Sequence, residues 1–408
     1  MHPEKISIKD FSYELPENRI AKHPLEERDK SKLLIYHDKT ISQDIFENIA
    51  TYIPAETMIV FNNSKVIAAR IVFSKATGSN IEIFCLEPSD DYNEINKALS
   101  AKETVMWKCL IGGAKKWKDE ILIKKIWIDN KEIELTAKKI FASQDETLVA
   151  FSWNNNSLIF AEVLLHAGFM PLPPYLKRAA EKNDNERYQT IYAKHQGSVA
   201  APTAGLHFTE NVFKKFEAKK IQKQFVTLHV SAGTFLPVKS NTMSGHEMHS
   251  EFIEIKKEFL QAIITHNKKI IAVGTTSLRT IESLYWMGVK TILNNNCSEQ
   301  HLHLKQWEPY GLNSKNITTK EALQNLLQWM QKNNYQKLVV KTKIIIAPGY
   351  TLKVADALIT NFHQPQSTLL LLVAAITGNN WKKIYDYALQ HNFRFLSYGD
   401  SSLLWADK

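Results

Sequence analysis

The sequence predicts a multi-domain α/β protein in which a small β-barrel or sandwich interrupts an α/β core. Three observations carry the prediction. The 408 residues, 44% hydrophobic and 23% charged, suffice for one large domain and a smaller one of ordinary globular composition. Over residues 66–153, short β-type stretches follow one another between Gly, Asp, Asn and Lys turns. Beyond Ser157, strand and helix patterns alternate, as they do in α/β cores. The expected division is residues 1–65 with 154–408 as the main domain and 66–153 as the insert.

Taken in order, a short extended segment leads into the apolar run 58–61, which reads as a buried strand broken by Asn62-Asn63-Ser64. Strands are expected in the insert over 80–86, 105–111, 121–128 and 132–135. Residues 158–167 have helical spacing, 225–230 alternate as a strand, and 270–273 form a strand feeding a helix through Gly274. That helix carries Ile281, Leu284 and Tyr285 on one face, with Gly288 as its expected stop. The Lys-, Asn- and Gln-rich stretch 311–343 still places Ala322, Leu323, Leu326, Leu327 and Met330 at helical spacing, so it reads as a helical insertion in the main domain. Ser367 is placed to cap an apolar helix over 368–377.

The longest apolar run, 369–376, is far short of the roughly 20 residues that cross a bilayer. Charged Glu4, Lys5 and Lys9 stand where a signal sequence would be apolar, so a cytoplasmic location is expected. Cys85, Cys109 and Cys297 are odd in number and far apart, which argues for packing thiols rather than disulfides or a metal knuckle. A net charge of +9, with Lys pairs such as Lys115-Lys116, Lys138-Lys139 and Lys219-Lys220, suits a polyanionic partner. A solvated Lys-rich surface with no partner has the same composition.

Residues able to do chemistry fall in five segments. In the first, Tyr188 and Gln189 precede Gly197-Ser198-Val199-Ala200-Ala201-Pro202-Thr203-Ala204-Gly205-Leu206-His207-Phe208. Small side chains there let backbone N–H groups approach a carboxylate or a ribose, and a tight turn between packed elements uses the same residues. In the second, alternation sets Val226, Leu228 and Val230 on one face and Thr227, His229 and Ser231 on the other, with Gly233-Thr234 at the strand's end. His229 should therefore face away from the apolar side, as a ligand-binding or a structural histidine.

The third, His246-Glu247-Met248-His249-Ser250-Glu251, suits acid–base chemistry better than metal binding, because neither H-E-x-x-H spacing nor a cysteine pair is present. In the fourth, Thr275 and Thr276 open the helix after 270–273 with Arg279 one turn in, a place that attracts an anion or simply caps the helix. The fifth runs through Asp356 to Asn361 and His363 in the polar loop before the capped helix. The C-terminal Phe393-Arg394-Phe395-Leu396-Ser397-Tyr398-Gly399-Asp400 can stack a base or pack a chain end.

Together these segments resemble the S-adenosylmethionine:tRNA ribosyltransferase-isomerase family, which makes epoxyqueuosine in tRNA. The resemblance spans nearly the whole chain. Its further markers are residues 11–15 with Pro24 and Arg28-Asp29-Lys30-Ser31, residues 61–70, Met170-Pro171-Leu172-Pro173-Pro174-Tyr175, and residues 186–193, 272–283, 348–374 and 387–400. It implies an α/β-barrel-like main domain interrupted by a β-barrel domain. It also implies S-adenosylmethionine as ribosyl donor, 7-aminomethyl-7-deazaguanine at the wobble position of GUN-anticodon tRNAs as acceptor, no metal, and a monomer.

The roles implied are His249 or Glu251 as base, His207 and His229 near the ribose and leaving adenine, Arg279 for a carboxylate or phosphate, and Asp356, Asn361 and His363 as polar contacts. Tyr188, Gln189, Ser198, Ala200, Ala201, Pro202, Thr203, Gly205, Gly233, Thr234, Thr275, Thr276, Arg394 and Tyr398 complete the expected substrate contacts. Departures from the family pattern are the 311–335 insertion, Asn63-Ser64, the single glycine of Thr77-Gly78-Ser79, Ala355-Asp356 and Gln364. They leave room for a divergent relative with another acceptor, or for an RNA-binding protein without chemistry. A methyltransferase fits poorly, because Gly274-Thr275-Thr276 leads to Arg279 rather than to an acidic residue at the next strand's end.

Overall fold

Four apolar runs, Met58–Asn62, Gln222–His229, Ile270–Val273 and Ala357–Asn361, lie side by side as parallel strands at the centre of a nine-stranded sheet. They belong to a computed structural model that describes residues 2–92, 94–143, 146–230, 238, 240–294, 296–312 and 316–407. Three of the four runs are buried at every position, which is why they read as continuous apolar stretches rather than alternating ones. Successive side chains still serve opposite faces. Met58 and Val60 enter the core built on the helix Gly274–Leu293, while Ile59 and Phe61 enter a second core with Phe46, Phe208 and Phe213.

Further strands, antiparallel where they join the central four, extend this sheet at both edges. Glu251–Lys256 and then Lys337–Thr342 continue it beyond Gln222–His229; Ser401–Trp405, Lys32–His37 and Thr40–Ile45 continue it beyond Ala357–Asn361. A separate seven-stranded antiparallel sheet runs in the order Gly168–Phe169, Arg70–Ser74, Asn80–Pro88, Thr104–Gly112, Thr147–Trp153, Lys131–Ala142, Leu122–Ile128. It curls far enough for Lys124 Nζ on one edge strand to donate to the Val72 carbonyl, 2.9 Å away near the opposite edge. Its core, around Trp107, Phe151 and Phe160, also takes in Val199 and Phe252 from outside the sheet.

Several local expectations are corrected. Asn62 does not break its strand but ends it, and Ser64–Val66 forms a short parallel pair with His195–Ser198. Gly288 does not stop its helix, which continues to Leu293. Its lack of a side chain serves a close crossing instead: a Cβ there would lie 2.1 Å from the carbonyl oxygen of Ala322 on the helix Thr319–Lys332. Among the described residues, the stretch read as a helical insertion is helical at Gly311, the end of the helix Glu308–Gly311, and over Thr319–Lys332, where Thr318 and Glu321 form a capping box. Its last part is the edge strand Lys337–Thr342, whose buried Leu338, Val340 and Thr342 alternate with half-buried Lys337, Val339 and Lys341. The Lys-rich composition hid that period of two.

The apolar helix Thr368–Thr377 starts as expected, with Ser367 Oγ accepting from Leu370 N. Among the described residues no helix is long and apolar enough to cross a membrane. The cysteines are free and buried, with Cys85 and Cys109 facing each other on neighbouring strands.

Replacing Gly288 by Ala tests the helix crossing. The added methyl meets backbone rather than a movable side chain, so overpacking of about 1–3 kcal/mol outweighs the gain of roughly 1 kcal/mol in helix propensity. A lower urea midpoint is expected for Gly288→Ala; an unchanged or higher one would show that the two helices separate easily.

Candidate active site

Because the four central strands are parallel, their carboxyl ends meet at one edge of the sheet, where α/β folds leave room for ligands. Asn62 organises that edge. Its Oδ1 accepts from Leu228 N (3.1 Å) and Ser64 N (3.1 Å), and its Nδ2 donates to Leu228 O (2.9 Å) and Thr276 Oγ1 (3.3 Å). One buried carboxamide thereby joins two strand ends to the start of the helix Gly274–Leu293.

A cavity of about 100 Å³ opens there, tighter than the roughly 300–1,000 Å³ of most small-molecule sites. The expected substrate contacts Tyr188, Ala200, Ala201, Pro202, Thr203, Thr275, Thr276, Asn361 and His363 all line it. Tyr175, Thr360, Gln364, Leu396 and Ser397 line it too, although no role was expected for them. Tyr175 and Ser397 share a hydroxyl hydrogen bond of 2.5 Å; Tyr175 lies in one of the family markers, and Ser397 in the C-terminal aromatic segment.

Two buried histidines are held at the cavity. His207 lies behind its wall: Nδ1 meets Ser31 Oγ at 2.8 Å and Nε2 meets Asn361 Nδ2 at 3.1 Å. Asn361 Oδ1 accepts from Thr203 Oγ1 (3.3 Å), so the Asn361 amide donates to His207, and His207 in turn donates from Nδ1 to Ser31. Burial, with the nearby cations Arg394 and Arg28, lowers the His207 pKa to about 3. His363 faces the cavity; its Nε2 meets Thr360 Oγ1 at 3.0 Å, its N–H donates to Tyr385 Oη (3.0 Å), and its carbonyl accepts from Tyr13 (2.5 Å). Burial lowers its pKa to about 3 as well. Both imidazoles are therefore neutral at physiological pH, suited to hydrogen bonding rather than to carrying charge.

The remaining candidates lie elsewhere. His229 does leave the Val226–Leu228 face, but it is buried, with Nε2 3.2 Å from Glu254 Oε1 and Nδ1 without a partner among the described residues. Burial raises the Glu254 carboxyl pKa, but His229 and Lys337 more than reverse this and it falls to about 2. Arg279 is not free for a substrate anion: it pairs with Glu251, and its Nε donates to Ile344 O at 3.1 Å. Glu251 is thereby committed to an ion pair, whereas His249 is exposed and outside the cavity lining.

Asp356 sits at the opposite end of the sheet, accepting from Ile270 N and Lys269 Nζ. Gln189 is bound through both side-chain atoms to the Val66 backbone, and Ser198 Oγ bridges Val230 N and Ala200 O. Gly205 packs under Tyr192, whose hydroxyl would lie 2.0 Å from an added Cβ. Arg394 and Tyr398 line a smaller neighbouring cleft with His207. Gly233 and Thr234 lie outside the described residues. Among the described residues no group of three His, Cys, Asp or Glu is placed to hold a metal.

The two histidines make stability pH-dependent. Each has a folded pKa below its unfolded value of 6.5, so the unfolded chain binds more protons between pH 6.5 and about 3, and folding weakens as pH falls through that window. Each group costs up to about 1.4 kcal/mol per pH unit there. Urea midpoints measured from pH 7 to 4.5 should fall more steeply for the unaltered chain than for His207→Gln or His363→Gln; equal slopes would mean that neither ring is buried neutral.

The family model described as "Queuosine biosynthesis protein" matches residues 8–404. An S-adenosylmethionine:tRNA ribosyltransferase-isomerase of Rickettsia bellii is 37% identical over 98% of this chain and 99% of its own length. One of Thermotoga petrophila is 36% identical over 98% and 100%. The crystal structure of a Thermotoga maritima S-adenosylmethionine tRNA ribosyltransferase aligns at 28% identity and a TM-score of 0.46 over 97% of this chain and 99% of that one. With a family match of this extent and relatives this similar along their full lengths, the chain belongs to the S-adenosylmethionine:tRNA ribosyltransferase-isomerase family of queuosine biosynthesis and is an enzyme.

Proposed function

We propose that this enzyme transfers and isomerises the ribosyl group of S-adenosylmethionine onto 7-aminomethyl-7-deazaguanine at the wobble position of GUN-anticodon tRNA, releasing adenine and methionine. The observation that carries the proposal is the convergence of nine expected substrate contacts on one cavity at the carboxyl ends of the parallel strands. In this reading residues 66–153 are an inserted barrel beside a barrel-like main domain, and the enzyme works as a cytoplasmic monomer without a metal.

The sulfonium acidifies the adjacent ribose carbon, so a base removes a proton there and adenine departs. The acceptor amine then attacks the opened sugar, and epoxide closure expels methionine. Thr203 and Asn361 are assigned to the ribose hydroxyls, and the N–H groups and hydroxyls of Thr275 and Thr276 to an anionic group of the substrate. Neutral His363 is assigned to the leaving adenine, which a charge-free ring can hydrogen-bond at a lower desolvation cost than an imidazolium. His249 and Glu251 are both assigned as candidate bases: Glu251 is held by Arg279, and His249 is exposed beyond the cavity lining. The packed walls around Tyr188 and Tyr175 help keep water from the reactive intermediates.

Incubation with S-adenosylmethionine and precursor tRNA should release adenine and add the epoxy-cyclopentanediol to the base, read by chromatography and nucleoside mass. RNA binding without adenine release would sink the proposal. His249→Ala should lower kcat by about 10²-fold or more with tRNA affinity unchanged; normal turnover removes it as the base. His363→Ala should likewise cost roughly 10²-fold in kcat/KM, measured by initial rates, and an effect below about threefold would place it outside the reaction.

A further inference from the structure

Beside the main cavity lies a smaller cleft whose lining includes three arginines, Arg28, Arg187 and Arg394. Arg28 is fixed by donating to two backbone carbonyls, Gln189 O (2.6 Å) and Glu186 O (3.0 Å), and Arg187 donates to Leu25 O. Neither Arg28 nor Arg187 has a carboxylate partner among the described residues. Arg394 alone has one, Asp400 at 3.2 Å, and that carboxylate is already occupied by the backbone N–H groups of Lys32 (3.1 Å) and Arg394 (2.7 Å).

Three like charges held together, partly out of water and with one carboxylate among them, oppose folding unless something negative joins them. The proximity registers on the groups themselves. Burial and the neighbouring Arg187 lower the pKa of Arg28, and Arg28 and Arg394 both act on His207. Stapling to carbonyls uses only part of the N–H set that a guanidinium presents, and what is left suits the planar, two-point recognition of an oxyanion. Ser31 and Tyr398 add hydroxyls to the same cleft. Ser397 lines both this cleft and the main cavity, and His207, on its wall, bonds to Asn361 of the main cavity. Whatever anion sits here is therefore one side chain away from a ligand in the main cavity.

We infer that Arg28, Arg187 and Arg394 form an oxyanion subsite that holds a phosphate or carboxylate at the edge of the main cavity. The subsite does not depend on the reaction proposed above, but the identity of its natural occupant rests on that reading: a phosphate of the RNA backbone or the carboxylate of the donor.

The first measurement is thermal unfolding of the full chain with inorganic phosphate against chloride at matched ionic strength. Phosphate should raise the Tm of the unaltered protein and leave that of Arg187→Gln unmoved. Should Arg187→Gln fold poorly, Arg28→Lys, which keeps the charge but loses the fork, should show a reduced phosphate shift. No shift in the unaltered protein, or an equal shift in the variants, overturns the subsite. This readout needs no turnover, so its failure is distinguishable from failure of the adenine-release assay.

Steady-state rates and RNA binding then separate the two sources. A roughly tenfold rise in KM for S-adenosylmethionine, with RNA affinity unchanged, assigns the donor carboxylate. Weaker RNA binding whose salt dependence falls by about one phosphate contact assigns the backbone. If Arg187→Gln moves neither, no natural ligand uses the site and the inference fails.

Discussion

A helix buried along nearly its whole length has little water to satisfy its polar side chains, so most of them take partners inside the protein. Gly274–Leu293 is such a helix, and its polar groups tie the surrounding elements to it. Arg279 pairs with Glu251 at the start of the strand next to the edge and donates to Ile344 O just past the edge strand itself. Ser283 Oγ meets Thr342 Oγ1 at 2.8 Å. Glu282 accepts from Lys353 N, Val354 N, Ala355 N and the Tyr350 hydroxyl, all within 2.8–3.1 Å. Burial raises the Glu282 pKa, and the four donors pull it only part of the way back. The loop it grips leads directly into Ala357–Asn361, so the helix that sets where this strand begins also sets where Asn361 ends.

The site follows from that arrangement. Parallel strands deliver their carboxyl ends to one edge, and Asn62, Thr276 and Asn361 arrive there from three different elements. The histidines beside them are desolvated and neutral, which leaves the cavity polar without being charged. Positive charge collects one wall away, around Arg28, Arg187 and Arg394. The opposite edge carries structural staples such as Asp356 on Ile270 N. Charged residues that look alike in the chain thus divide into those that fasten strands and those that face space.

A third group joins the two sheets. His229 reaches Glu254 (3.2 Å), Glu254 reaches Lys337 (3.2 Å), and Lys337 reaches Glu94 (3.1 Å) in the segment between two strands of the seven-stranded sheet. A partly buried ion pair adds little net stability where desolvation offsets attraction, but losing one member leaves another unpaired. The chain is accordingly better suited to fixing the register of the two sheets than to strengthening their contact.

The sequence by itself determined the identity of several elements. The unbroken apolar runs 58–61 and 270–273 require burial on both faces, the Ser367 cap starts a helix, and the small residues of 197–208 permit close backbone approach. Such signals are local and survive in a single chain. The tertiary structure decided everything that depends on which groups face one another. It paired Glu251 with Arg279 across 28 positions, set Asp356 at the opposite end of the sheet, and made Asn62 the residue that joins two strand ends to the helix. It also brought Arg28, Arg187 and Arg394 together from distant segments. Periodicity and composition register the face a residue occupies, whereas partnership across the sheet is set by the register of strands far apart in the chain, and no local pattern encodes it.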